Sequence, residues 1–311
     1  MWRAVLFVLA GIAAAGPWSR PDAALLVGIV LGLSGLTAFA AQGKKVSRWL
    51  IQACVVMLGL RLDLRDLGRS AAEGLGLALG TIAGALVLGW LLGKLLRTGK
   101  EISTLVSSGT AICGGSAIAA VGAAIGASAG TMAVATGAIF VLNAIGLWAF
   151  PPIGHALHLT DVEFGQWAGV ALHDIASVGG AARAYNPASS VALDTANVVK
   201  LTRVVWIFPL AVGASRLFRR DGTGKGGAPF PWFVVGFVVA SAVRTVLPQV
   251  QEAESAIKAV AGVGFQAALF LIGAGLTRAT LAKVGWRALA QAAVLWVALA
   301  GGTLAWIVSR R

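Results

Sequence analysis

From Leu75 to Gly93 the chain carries no charged residue, and apolar windows of this kind recur along its whole length. Each is ~20 residues long, enough to span a bilayer as a helix. A bilayer core offers the backbone no hydrogen-bond partners, so such windows must satisfy their own amides by coiling. Segments start near Ala4, Asp22, Val46, Glu73, Ser103, Ala129, Phe164, Ser189, Phe230, Ser255 and Val284. They predict an all-α polytopic membrane protein with about 10–11 transmembrane helices. One transmembrane domain over residues 1–311 accounts for the chain, because 58% of it is hydrophobic and only 12% charged. The first segment, Ala4 to Gly16, is read as a retained helix, although its Ala-rich end also suits a cleaved leader.

The net charge of +13 would suggest a nucleic-acid partner in a soluble protein. Here the bases sit in loops, where they orient the chain and imply no nucleic acid. Gln42–Arg48, Lys94–Lys100, Arg216–Lys225 and Arg278–Arg287 fall on one side of an eleven-helix chain, and Gln249–Ser255 falls opposite. This predicts an inside N-terminus and an outside C-terminus, with Arg61–Arg69 outside and offset by Asp63 and Asp66. Trp18, Trp49, Trp90, Trp148, Trp167, Trp232 and Trp286 lie near segment ends and read as interfacial anchors. Glycines at 76, 80 and 84, and at 122, 126 and 130, recur every four residues and read as helix-packing notches. Cys54 and Cys113 have no metal-ligand spacing, and no nucleotide-binding motif is present, so neither a metal, a cofactor nor an ATP-driven pump is expected.

One apolar segment is interrupted by Gly109-Thr110-Ala111-Ile112-Cys113-Gly114-Gly115-Ser116-Ala117-Ile118. Backbone that leaves the helix at membrane depth needs partners in protein, water or cargo, and broken helices with exposed amides are where carriers hold solutes. A second stretch of the same character runs from Val170 to Gly180 through His173 and Asp174. Ionisable residues are costly in the bilayer, so Asp174, Asp194, Lys200 and Arg203 are candidates for function. Asn197, Lys200 and Arg203 step by three and can line one cavity; the alternative is that the bases pair structurally with Asp194 or Asp174. Histidine has a reference pKa near neutrality, so His173 can carry a coupling proton, or it can be a packing group.

These stretches, with Val199-Lys200-Leu201-Thr202-Arg203-Val204, Phe230-Pro231-Trp232-Phe233, Leu58-Gly59-Leu60-Arg61-Leu62 and Gly273-Ala274-Gly275-Leu276-Thr277, closely resemble the bacterial family named as sulfate exporters. The resemblance covers nearly the whole chain in order and spacing. It implies a place beside the bile-acid, arsenite and riboflavin type carriers of the inner membrane. That place in turn implies two inverted five-helix repeats with interrupted, crossing helices at the centre. The family pattern has glutamine where this chain has Ser177, which implies a different substrate or coupling.

The expectation is therefore a secondary carrier for a small anion, sulfate or a related oxyanion, working by alternating access, with a proton or sodium ion as coupling partner. Thr110, Cys113, Gly114, Gly115, Ser116, Asn197, Lys200 and Arg203 would bind the substrate, and His173 and Asp174 would couple it. An anion channel, or a membrane-embedded enzyme or complex subunit, are the alternatives.

Overall fold

A computed structural model describes residues 2–16, 18–218 and 232–311, and every regular element within them is helical. Residues 219–231, which hold most of the basic run from Arg216 and the Phe230-Pro231 pair, lie outside the described residues. Five stretches, Leu75–Leu95, Gly130–Ala156, Val191–Phe218, Gln249–Ala274 and Trp286–Val308, are each long and apolar enough to cross a membrane. This is a multi-pass membrane protein.

The first four helices are α1 (Trp2–Ala15), α2 (Pro21–Ser34), α3 (Ala40–Gly59) and α4 (Leu64–Leu95). The fifth predicted segment is split into α5 (Lys100–Ala111) and α6 (Gly115–Ile125), and α7 (Ala129–Ala156) follows. The seventh is split into α8 (Asp161–Ala171) and α9 (Ile175–Tyr185), and the eighth into α10 (Val191–Val204) and α11 (Ile207–Phe218). The chain closes with α12 (Trp232–Val246), a short 3-10 turn (Pro248–Ala253), α13 (Glu254–Ala274), the short α14 (Arg278–Lys283) and α15 (Trp286–Val308).

Polar side chains define several starts. Asp63, Ser128 and Thr277 accept from backbone amides at the heads of α4, α7 and α14. Thr160 and Glu163 form a reciprocal capping box on α8.

The two broken segments are helical, as the sequence predicts, but they do not cross the molecule. A methyl group on Gly109 would lie 3.0 Å from Ile118, and one on Gly122 would lie 3.6 Å from Leu105, so α6 runs back along α5. Phe164 near the start of α8 stacks on Tyr185 at the end of α9, with ring centroids 3.9 Å apart. Each pair is thus a re-entrant hairpin, and the two enter from opposite ends. One end, here called the basic end, gathers Lys44, Arg97, Lys100, Arg278 and Arg287; Arg287 donates to the Arg97 carbonyl across it. At the opposite end Arg311 donates to the carbonyls of Leu157 and His158. The 126–128 loop therefore joins the basic end and the 157–160 loop the opposite one, the reverse of what eleven crossings would give.

Two packed groups emerge from the helix contacts. The first holds α1, α2, α3, α12 and α13; the second holds α4 to α11 with α15; far fewer contacts join them. In the first, a methyl on Gly28 would stand 2.2 Å from the Phe270 carbonyl and one on Gly273 2.5 Å from that of Leu25, so the backbones of α2 and α13 touch. Phe7 of α1 packs on Phe270, their centroids 5.1 Å apart. In the second, Gly165 and Gly169 of α8 lie against the carbonyls of Ala192 and Ala196. Ser107 and Ser103 fill notches at Gly89 and Gly93, and Gln291 of α15 donates to the Gly89 carbonyl (2.9 Å) and to Ser103 Oγ (2.8 Å).

Two packing expectations need correction. Gly76, Gly80 and Gly84 meet nothing within 4 Å, whereas Gly89 and Gly93 further along the same helix carry the interface; spacing alone does not say which side of a helix is covered. Trp167 is buried, stacked on Phe150 and donating to the Ala300 carbonyl (2.9 Å), because α8 enters the protein interior instead of ending at its surface. The other six tryptophans are exposed as anchors would be.

Candidate functional site

The hairpins meet tip to tip. The first tip is Ile112-Cys113-Gly114 and the second Leu172-His173-Asp174. Gly114 takes φ 57°, ψ −117°, a combination that glycine alone adopts without strain. It sits tight between neighbours: a methyl there would meet Ile139 at 3.1 Å and His173 Cβ at 3.3 Å.

Each tip leaves the last carbonyls of one half-helix and the first amides of the next without intrahelical partners. The carbonyls are met by the two buried bases of α10. Lys200 Nζ donates to the Ile112 carbonyl (3.2 Å) and to that of Leu172, so one ammonium joins both tips. Arg203 donates to the Ala111 carbonyl and to Thr81 Oγ1 on α4. Both side chains are 0% exposed. The expectation that they line a cavity is therefore corrected, and so is the alternative that they pair with Asp194 or Asp174: Asp194 binds Arg61, and among the described residues neither base forms an ion pair with Asp174. The physical reason is the helix dipole: two C-termini ending in a low-dielectric interior place partial negative charge where a cation is best held.

At the second tip, Asp174 caps α9. Its carboxylate accepts from the Ser177 amide (2.8 Å), from Ser177 Oγ (2.9 Å) and from Asn143 Nδ2, while Asn143 Oδ1 accepts from the His173 amide (2.9 Å). Asn143 of α7 thus clips the tip, a role the sequence reading missed; the available signal was an amide in the middle of an otherwise apolar segment. Ser177 thus meets the carboxylate with both its amide and its hydroxyl.

The start of α6 is different. Gly114 gives it no side-chain cap, Gly115 is half-buried and Ser116 is exposed. Both face a cavity of about 620 Å³ between the two helix groups. Its floor is Cys113, Gly115, Ser116, Asp174 and Ile175, its walls include Ile51, Thr136, Phe140 and Ile272, and Lys44 and Arg48 stand exposed at its basic-end mouth.

Of the predicted residues, Cys113, Gly115, Ser116 and Asp174 line this cavity. Gly114 forms the turn beneath it, and Thr110, His173, Asn197, Lys200 and Arg203 are buried behind. Among the described residues, the ring nitrogens of His173, the side-chain amide of Asn197 and Thr110 Oγ1 have no hydrogen-bond partner. No three His, Cys, Asp or Glu side chains among the described residues gather as a metal ion would need.

The family described as conserved hypothetical protein 698 matches residues 5–292. A UPF0324 membrane protein of Bacteroides thetaiotaomicron is 40% identical over 299 residues, covering 96% of this chain and 89% of that one. Another, from Geobacter sulfurreducens, is 41% identical over 293 residues, covering 93% and 91%. A third, from Vibrio vulnificus, is 36% identical over 307 residues and covers 98% of both chains. No solved structure matches. The relatives' names give a membrane location and no substrate, so what the comparisons identify is kinship: this chain belongs to the UPF0324 family of membrane proteins, described as conserved hypothetical protein 698.

Proposed function

We propose that this protein is a secondary carrier that moves a small anion, sulfate or a related oxyanion, across the bacterial inner membrane by alternating access. The observation that carries the reading is a cavity that opens at one end and stops at mid-depth on two re-entrant tips, with an uncapped helix N-terminus in its floor. A continuous pore would have no reason to stop there. Free amides at Gly115 and Ser116 with the positive end of the α6 dipole suit an anion, and Lys44 and Arg48 favour its entry. Asp174 shares the floor, so a proton on its carboxyl would relieve repulsion of that anion and link the two bindings reciprocally. The substrate preference for sulfate rests on the sequence resemblance and on this chemistry.

The test is exchange in proteoliposomes loaded with unlabelled sulfate, with labelled sulfate outside and proton or sodium gradients imposed separately. Saturable exchange, lost in Gly115→Leu protein that still inserts, is expected. Absence of exchange for sulfate and for other small oxyanions under every gradient would overturn the reading, and an ohmic current would replace it with a channel.

A further inference from the structure

The cavity occupies only the basic half of the seam between the two helix groups. Beyond its floor, along the same α3, α9 and α13, the seam is shut. Cys54 of α3 is 2% exposed beside this seam, its Sγ packed within the first group 2.3 Å from where a methyl on Gly264 of α13 would stand. Arg183 of α9 lies in the notch at Gly262 and donates to the Lys258 carbonyl of α13 (3.2 Å). At the end itself, Arg61 makes a two-point contact with Asp194 of α10, Nη1 to Oδ1 at 2.9 Å and Nη2 to Oδ2 at 3.3 Å, and also reaches Glu254 of α13 at 3.0 Å. Arg61 follows α3 and so stands with Glu254 in the first group, while Asp194 belongs to the second. Among the described residues, no ion pair crosses the seam at the basic end.

We propose that the Arg61–Asp194 pair, held in register by Glu254, is the outer gate of the transport path; the inference rests on the carrier reading above. A path that alternates needs a closure at the end that is not open. The chemistry suits a closure that must part into water. An apolar seal loses its whole burial energy on opening, whereas a bidentate ion pair exchanges its Coulomb energy for the hydration it gave up on closing. The side chain of Arg61 is 1% exposed and that of Asp194 21%, so the acid already sits at the wet margin. Opening here separates α3 and α13 from α9 and α10, and it uncovers Cys54, which lies within reach of the Arg183 charge on that seam.

Cys54 is the reporter. Oriented vesicles are treated with a membrane-impermeant maleimide from the side of the opposite end, and Cys54 modification is followed by peptide mass spectrometry. Arg61→Gln and Glu254→Gln are each expected to speed Cys54 modification at least about tenfold, while Arg61→Lys, which keeps the charge but not the two-point contact, falls between Arg61→Gln and wild type. A two-state gate also predicts that Ser116→Cys, probed from the basic side, reacts more slowly when combined with Arg61→Gln. An unchanged Cys54 rate in neutral variants that elute as wild type on size exclusion would overturn the proposal. So would faster reaction at both positions, which signals general loosening. If Arg61→Gln fails to fold, Glu254→Gln carries the test, since its side chain is 43% exposed. The labelling needs no substrate, so a responsive Cys54 in vesicles that exchange no anion leaves the gate standing and removes the anion reading. Exchange with an unresponsive Cys54 does the reverse.

Discussion

At the scale of single residues, the site is organised by what finishes each half-helix. Lys200 joins two C-terminal carbonyls that have no other hydrogen-bond partner among the described residues, so replacing it with Met leaves both buried and unpaired, at a cost of about 2–4 kcal/mol. Lys200→Met should lower the thermal midpoint in detergent by several degrees and abolish transport in whatever fraction folds. A variant with wild-type melting but weakened anion affinity would return Lys200 to the substrate site. Ser116→Ala should behave in the opposite way: its hydroxyl faces the cavity, so sulfate affinity should fall while the melting curve stays unchanged. Gly114→Ala separates the two cases, because the backbone at φ 57°, ψ −117° would be strained by about 1–3 kcal/mol and Ile139 stands 3.1 Å from the new methyl. The sequence marks Lys200 as a residue that matters, since a base in an apolar segment is costly. It is silent on which carbonyls that base meets, because these lie just past the ends of α5 and α8, far away in the chain.

At the scale of elements, glycine and hydroxyl density revealed that two segments break, and the structure breaks them at Ile112–Gly114 and Leu172–Asp174. Whether the chain then continues or turns back is not written in that density, because an interrupted crossing helix and a re-entrant hairpin have the same composition and length. Contacts such as Phe164 on Tyr185 decide it. The second hairpin is also pinned from outside. Glu163, inside its capping box, accepts from Arg311 Nε at 2.8 Å and from the Thr160 amide at 2.7 Å. The Arg311 guanidinium first, and then that amide, hold the Glu163 carboxyl down at about 2. A depressed acid stabilises the fold above its unfolded value of 4.5, and the contribution is lost as pH falls from there toward about 2. Both partners are partly exposed, so the effect is small, and weaker still in salt. Melting at low ionic strength should therefore decline more steeply over that acid range in wild type than in Glu163→Gln. Parallel curves would show that the contact contributes nothing.

At the scale of the whole molecule, the two hairpins also decide which loops share a side of the membrane, and this gives a test independent of any substrate. Eleven crossings would place 126–128 with the C-terminus and 157–160 with the basic loops. Two re-entrant hairpins exchange those positions and leave both termini where eleven crossings put them, because each hairpin removes one crossing and the parity is restored by the second. Tags at the chain ends therefore cannot tell the arrangements apart; only the loops around α7 can. Single cysteines at Ala127 and His158 answer the question, with Arg278→Cys marking the basic end and Arg310→Cys the opposite one. Arg278 and Arg310 are exposed, and the native Cys54 and Cys113 are 2% and 3% exposed, so background labelling is low. In spheroplasts treated with an impermeant maleimide, Ala127→Cys should follow Arg278→Cys and His158→Cys should follow Arg310→Cys. If they pair the other way, α5–α6 and α8–α9 cross the membrane. The cavity would then lose the floor that its two tips make, and Lys200, Asp174 and the α6 N-terminus would no longer meet at it.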